Sequence, residues 1–420
     1  MCVGGIAVVT HPSAGVPVPD SLCLCWVLVT TTHYHHARMT AFAKAWAGPC
    51  AILELTDTDE LRSLESQPRD APYARRTLFP GLPSGQARGR RMGPAVRRVL
   101  DELRPNVVCI NGWSIGGALE TLQWCARRRV PAVVMSDSTA LDKPRRAVEE
   151  SVKRRILRLC SAALVAGTRH AEYLESLGFP RERIFLGYDA VDNDHFARGA
   201  GQARQATDQW RARLGMPPRY FLAVSRFGEK KNLPRLIEAY ALYRRQAGTD
   251  AAALVILGDG PLRPQLEAAV AHLDLDGSVS MPGLASYNEL PAWYALAECF
   301  IHASTVEQWG LVVNEAMASG LPVLVSERCG CASDLVQPGV NGFTFDPFQP
   351  ERLAELMVSM AASSTDRAAM GRAGAEIVAA WGPGRFAEGL AAAARLALSS
   401  APPPVPLSSR ALLSALVRCA

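Results

Sequence analysis

The chain has 420 residues, a net charge of +5 and 49% hydrophobic residues, a length that favours two or three domains over one. No uninterrupted apolar run approaches the roughly 18–20 residues of a membrane span, and the eleven cysteines are odd in number and scattered, which argues against a disulfide framework and for reduced thiols in a cytoplasmic protein. The pI of 8.7 is moderate and the basic stretches lack interleaved aromatics, so nucleic acid is not expected as a partner.

Residues 1–20 have no basic start ahead of an apolar core, so they do not read as a secretory signal. Their Pro and Gly content suggests a loose extension. From 21 to 200 the pattern alternates strand and helix. Strands are expected at 24–31, 50–55, 107–111, 132–135 and 162–165. Helices are expected near 36–47, 94–103, 116–129, 144–160 and 169–177. Short apolar strands alternating with helices imply a doubly wound parallel sheet. In such sheets ligands collect at the carboxyl ends of strands. Those ends carry His35 and His36, Asn111 and Trp113, and Asp137.

Charge is uneven, at +6 over residues 1–200 and −1 over 201–420. The excess lies in Arg88, Arg90 and Arg91, in Arg97 and Arg98, in Arg127 to Arg129, and in the helix expected at 144–160. Arg-rich helix faces are usually just solvated. The sharper reading is a surface drawn to anionic lipid headgroups or to a phosphate-bearing acceptor at the inner face of a membrane.

The stretch 199–208 (Gly, Ala, Gln, Arg, Thr) breaks the alternation and reads as an inter-domain linker. A second alternating set fills 209–382, with strands expected at 220–225, 252–257, 279–281, 299–302, 322–326 and 342–345. A further helix at 383–400 is expected to pack back on the first domain. Residues 401–420 open with a run of prolines and read as a stiff, exposed tail. The architecture expected is therefore α/β: two Rossmann-like domains facing each other across a cleft.

Three loops of the second unit converge on that cleft by the strand-end rule. The first, 225–232, places Arg226 and Lys231 just past a strand, and such a pair suits a diphosphate. The second carries Gly258 and Gly260 but no G-x-G-x-x-G, so a dinucleotide fingerprint is absent. The third runs from Glu307 through Gly310 into an apolar helix holding Leu311, Val312 and Glu315. The first turn of a helix leaves N–H groups unpaired and carries positive potential, which suits phosphate. A carboxylate in that apolar setting needs hydrogen-bonding partners. Sugar and ribose hydroxyls would serve, and so would local caps and ion pairs. Cys329-Gly330-Cys331 lacks a second ligand pair, so zinc is not expected there.

Residues 221–347 resemble the donor-binding domain of the retaining GT-B glycosyltransferases of family 4. The matching pieces are Ser-Arg-Phe-Gly-Glu-Lys-Lys-Asn at 225–232, Leu-Gly-Asp-Gly-Pro at 257–261 and Met-Pro-Gly ending at Gly283. The E-x7-E element from Glu307 to Glu315, Ala-Ser-Gly-Leu-Pro-Val at 318–323 and Asn-Gly-Phe at 341–343 complete them. The resemblance implies transfer of a sugar from a nucleoside-diphosphate-sugar to a glycan or lipid-linked acceptor, with no metal or other cofactor. It implies that Arg226 and Lys231 bind the diphosphate, that backbone around Gly310 to Val312 meets the phosphates, that Glu307 contacts sugar hydroxyls and that Glu315 holds the ribose. Similar enzymes often carry a His at a first-domain strand end, where this chain has Asn111 and Asp137. His35 and His36 read either as a loop lining the site or as ordinary first-turn helix residues. Asp137 reads either as orienting an acceptor hydroxyl or as capping its own loop. Two rival readings remain: another GT-B enzyme, such as a sugar-nucleotide epimerase or a phosphorylase, and a silent nucleotide-sugar-binding scaffold.

Overall fold

The computed structural model describes residues 23–58, 71–83 and 92–419; the expected extension at 1–20 and the basic residues at 88–91 lie outside them. The first sheet contains β1 (Leu24–Leu28), β2 (Cys50–Glu54), β3 (Ala74–Thr77), β4 (Val107–Asn111), β5 (Ala132–Ser136), β6 (Ala162–Val165) and β7 (Ile184–Leu186) in the order β3-β2-β1-β4-β5-β6-β7. Every pairing in it is parallel. The central strands are fully buried runs such as LCWVL, as a sheet covered on both faces requires. The two outermost strands escaped the sequence pattern. β3 reads Ala-Arg-Arg-Thr with alternating exposure and β7 has three residues; an edge strand has one partner and needs no continuous apolar run.

Helices α1 (His33–Ala45), α2 (Met92–Leu103), α3 (Gly116–Arg128), α4 (Ala147–Leu157) and α5 (Thr168–Ser176) cover this sheet. The expected linker is instead helical: α6 (Asn193–Gln205) and α7 (Thr207–Leu214) run through it. Asp192 caps α6 by accepting from the His195 N–H at 3.0 Å, and Phe196, Ala200 and Ala203 are buried. Gly199 allows close packing rather than flexibility, since a Cβ there would lie 2.7 Å from Pro291.

The second sheet has the order β10-β9-β8-β11-β12-β13, again all parallel. Its strands are β8 (Tyr220–Val224), β9 (Ala253–Leu257), β10 (Val279–Gly283), β11 (Cys299–His302), β12 (Val323–Ser326) and β13 (Gly342–Phe345). Between and after them come α8 (Leu233–Ala247), α9 (Arg263–His272), α10 (Leu290–Ala295), α11 (Leu311–Ala318), α12 (Ala332–Leu335), α13 (Pro350–Ala361) and α14 (Arg367–Ala379). Strand order reverses between β1 and β4 in one sheet and between β8 and β11 in the other. A crevice opens at such a switch point.

The last helices return to the first domain. α15 (Pro383–Ser399) buries Phe386, Leu390, Ala394 and Ala397 against Leu24, Trp26, Met39 and Phe42, and Gly389 brings it within 2.5 Å of the Leu186 carbonyl as a Cβ would measure it. The expected exposed tail is corrected in its second half, where α16 (Leu407–Cys419) forms. Leu413 on it is buried in the first domain's core, and Gln123 of α3 donates to Ser414 at 3.0 Å. Proline stops at 406, and the apolar residues beyond it have a face to cover. Among the described residues no helix is long and apolar enough to cross a membrane, and the cysteines from Cys23 to Cys331 are free thiols.

Candidate active site

The loop between β11 and α11 is held from beneath by the Cys329–Cys331 turn. The Gly330 N–H donates to the Glu307 carbonyl at 3.0 Å and the Cys331 N–H to that of Trp309 at 3.1 Å. A Cβ at Gly330 would fall 1.6 Å from the Gln308 carbonyl oxygen, so only glycine allows this approach. The thiols of Cys329 and Cys331 are buried and their pKa values pushed up by that burial. Trp309 is buried and donates from Nε1 to Asn314 at 2.9 Å. Gly310 then turns through φ +105° at the N-cap of α11, a left-handed conformation that glycine adopts cheaply. Leu311 and Val312 follow as the first helical residues, and their N–H groups have no intrahelical acceptor.

Glu307 is the electrostatic centre. Lys231 Nζ pairs with its Oε2, His302 Nε2 lies 2.9 Å from the same oxygen, and Ser304 Oγ donates to it at 3.2 Å. Burial raises the Glu307 pKa, but the His302 hydrogen bond and the nearby charges outweigh it and hold the carboxyl well below its usual range. His302 moves the other way: burial lowers its pKa against the pull of Glu307. At neutral pH the imidazole is therefore uncharged and can bond an ionised carboxylate only as the Nε2–H tautomer.

The first two candidate loops and the end of β10 are stitched together. Phe227 N–H donates to the Asp259 carbonyl at 2.9 Å and Gly258 N–H to that of Gly283 at 2.8 Å. A Cβ on Gly258 would sit 1.8 Å from the Ser225 oxygen, and one on Gly260 2.7 Å from that of Phe227. These glycines let loop lie on loop, with φ of +134° and +156°; Gly283 has φ +96°. Arg226, past the end of β8, is exposed and makes no ion pair among the described residues.

Glu315 is completely buried. Both oxygens accept from phenols: Tyr294 donates to Oε2 at 2.7 Å, and Tyr34 of the first domain donates to Oε1. Tyr34 reaches across because the start of α1 is anchored. The Thr31 N–H donates at 2.9 Å to buried Glu54 at the end of β2, which also accepts from Arg75 and Thr77. One residue earlier, His33 stacks on Tyr287 of the second domain at 4.4 Å, and Tyr287 stacks on His195 at 4.1 Å.

The first-domain candidates divide. His35 Nδ1 accepts the Thr32 N–H at 3.2 Å, which caps α1. His36 Nδ1 bonds the Tyr73 hydroxyl at 2.8 Å, Asn111 accepts from Trp26 Nε1 at 2.6 Å, and Trp113 packs on the first domain's core. Asp137 has a hydrogen bond to the Glu307 loop, accepting from Gln308 Nε2 at 3.1 Å. Burial and then the charge of Asp189 push its pKa up to about 7. Asp189 is paired to Arg38 at 3.0 Å. Buried His170 meets the Gln308 carbonyl at 2.8 Å through Nε2, and Asp334 caps α5 across the interface through Thr168. Sequence reading placed Tyr34 in the stretch with His35 and His36 at the head of the first helix but gave it no partner, and it missed Tyr294, His170 and His302. Only His302 left a signal there, as a histidine closing an apolar strand run. Among the described residues no three metal-ligating side chains gather.

Comparison with known proteins bears on both halves. Residues 205–377 match the family Glycosyl transferases group 1, and residues 28–187 match the Glycosyl transferase 4-like domain. Alpha-D-kanosaminyltransferase of Streptomyces kanamyceticus is 31% identical over 206 residues, 48% of this chain and 52% of that protein. The GDP-mannose-dependent alpha-(1-6)-phosphatidylinositol monomannoside mannosyltransferase of Mycobacterium tuberculosis is 32% identical over 197 residues, 45% of this chain and 50% of that one. The chain thus spans about half the length of the curated relatives it matches. HepE from Anabaena in complex with UDP and glucose has a similar structure (TM-score 0.68, 18% identity, 88% of this chain and 98% of that chain). Sucrose-phosphate synthase from Thermosynechococcus elongatus does too (TM-score 0.69, 18% identity, 89% and 98%). The fold is GT-B.

Proposed function

Because the chain belongs to the group 1 glycosyltransferases and carries a 4-like first domain, we propose that it moves a sugar from a nucleoside-diphosphate-sugar to a hydroxyl acceptor with retention of anomeric configuration. The observation that carries this reading is the Glu307–Lys231 pair beside the start of α11, at the switch point between β8 and β11.

Breaking the bond from anomeric carbon to diphosphate builds negative charge on the leaving group and positive charge on the sugar. Arg226, Lys231 and the first amides of α11 oppose the negative charge, and preorganised charges of this kind supply much of an enzyme's rate. Two cations and a helix N-terminus can carry the leaving group unaided, so we assign no metal to the step. Glu307 takes the sugar hydroxyls and Glu315 the ribose, whose hydroxyls would take the place of the Tyr34 phenol. The acceptor oxygen enters on the face the phosphate leaves, and the phosphate takes its proton. Contacts between the domains at Gln308, Tyr34 and His33 favour a closed cleft, which limits donor hydrolysis.

For the acceptor we favour a glycan or lipid-linked glycan. The mycobacterial relative's name pairs GDP-mannose with phosphatidylinositol monomannoside, and exposed Arg127 to Arg129, Arg154, Arg155 and Arg158 would suit anionic headgroups of a membrane surface. The test is incubation with labelled nucleotide-sugars and glycan or glycolipid acceptors, with the product linkage read by NMR. A glycoside of the donor's own anomeric configuration is expected. An epimerised nucleotide-sugar, a free sugar phosphate or an inverted linkage would overturn the reading.

A further inference from the structure

His302 closes β11, two residues before Ser304, and its side chain is 2% exposed. Among the described residues every hydrogen bond of Glu307's carboxylate falls on one oxygen, Oε2, from Lys231, His302 and Ser304. Oε1 makes none among the described residues. This asymmetry divides the carboxylate into a held oxygen and a working oxygen.

The three donors differ in what a diphosphate would do to them. Lys231 is a cation on a flexible stem and 24% exposed; an arriving diphosphate competes with Glu307 for it. Ser304 is a weak donor at 3.2 Å. His302 is uncharged and locked in the strand, its ring 14° from parallel with Phe300 at 6.1 Å. A neutral imidazole feels little pull from phosphate, so its bond to Oε2 survives when the lysine turns away.

We propose that His302 is a positioning residue for sugar transfer: its Nε2–H holds Oε2 of Glu307 while Lys231 engages the diphosphate, so that Oε1 stays aimed at the sugar hydroxyls. This rests on the function proposed above. It makes Lys231 a shared group that hands over from carboxylate to phosphate, and His302 the group that keeps the carboxylate ionised and oriented during the handover.

The test compares His302→Leu with His302→Gln, whose amide can donate to the same oxygen. His302→Leu should lower kcat by about 10- to 100-fold, the loss typical when an outer partner that orients a working side chain is removed. Its affinity for the free nucleoside diphosphate, which has no sugar, should stay within about threefold of wild type by calorimetry. His302→Gln should recover most of kcat. Full activity in the leucine variant, loss of nucleotide affinity in parallel with kcat, or no rescue by glutamine would overturn the proposal. Nitrogen-15 NMR of the wild-type histidines covers the case in which the leucine variant does not fold. It should show a neutral Nε2–H tautomer for residue 302 near pH 7, and the Nδ1–H tautomer there would overturn the proposal. A wild-type protein that transfers no sugar from any donor would sink the proposed function instead, while the NMR and calorimetric results would still stand.

Discussion

Replacing Lys231 with alanine separates the two tasks given to that residue. In the folded protein its ammonium pairs with Glu307, and the two side chains are 24% and 18% exposed. Breaking a fully buried pair costs about 3–5 kcal/mol and breaking a surface pair about 0–1 kcal/mol. This pair lies between those limits, and Glu307 keeps His302 and Ser304, so about 1–2 kcal/mol of stability should be lost. That corresponds to a fall in Tm of a few degrees. Turnover should suffer more, because the proposed function also sets the lysine against the leaving diphosphate: a lost preorganised contact costs about 2.7–4 kcal/mol, or about 10²–10³ in kcat. Initial rates with a radiolabelled donor and a thermal melt on the same sample measure both. Arg226→Ala is the control. Arg226 makes no ion pair among the described residues, so its loss should leave Tm unchanged while turnover falls. Lys231→Ala turnover within about threefold of wild type, under about 0.7 kcal/mol, would refute the assignment.

Glu315→Gln should weaken nucleotide binding and also lower Tm, since two phenols lose a charged acceptor; calorimetric affinity equal to wild type would remove Glu315 from the nucleotide site. Gly330→Ala should disrupt the Glu307 loop, because backbone occupies the space a methyl needs, costing about 1–3 kcal/mol or more and most of the activity; an unchanged melt would contradict the close approach. Asp137 gives a pH signature. Its pKa is raised from 3.8 to about 7, so the folded state holds a proton that the unfolded chain releases, and this contribution to stability is full below pH 3.8 and lost as pH rises through about 7. Asp137→Asn should therefore gain Tm relative to wild type at pH 8 compared with pH 5, and a gap that shrinks or stays constant would refute the shift.

The doubly wound halves were legible because buried parallel strands are continuous apolar runs bounded by turn residues. The candidate loops past β8 and β11 were legible because their pattern is local: Arg226 and Lys231 lie on one loop, and Glu307 and Glu315 flank one helix start. What could not be read depends on contacts between residues far apart in the chain. Tyr34 meets Glu315, His33 stacks on Tyr287, and Gln308 bonds Asp137, each pair joining separate domains. The stretch 199–208 misled because Gly199 and Gly201 resemble linker glycines, whereas Gly199 is small to admit Pro291. Gly258 and Gly260 lie on a loop expected to face the cleft, and the close approach observed at them is that of their own neighbouring loop. α16 was hidden by the prolines before it.

The most direct test of the central claim is a crystal structure of the protein with a bound nucleoside diphosphate. The account predicts the distal phosphate within hydrogen-bonding distance of the Leu311 and Val312 amides and of Lys231, with the ribose on Glu315 and the Tyr34 hydroxyl displaced. A nucleotide lying elsewhere in the cleft, with Lys231 still paired only to Glu307 and the start of α11 untouched, would contradict it.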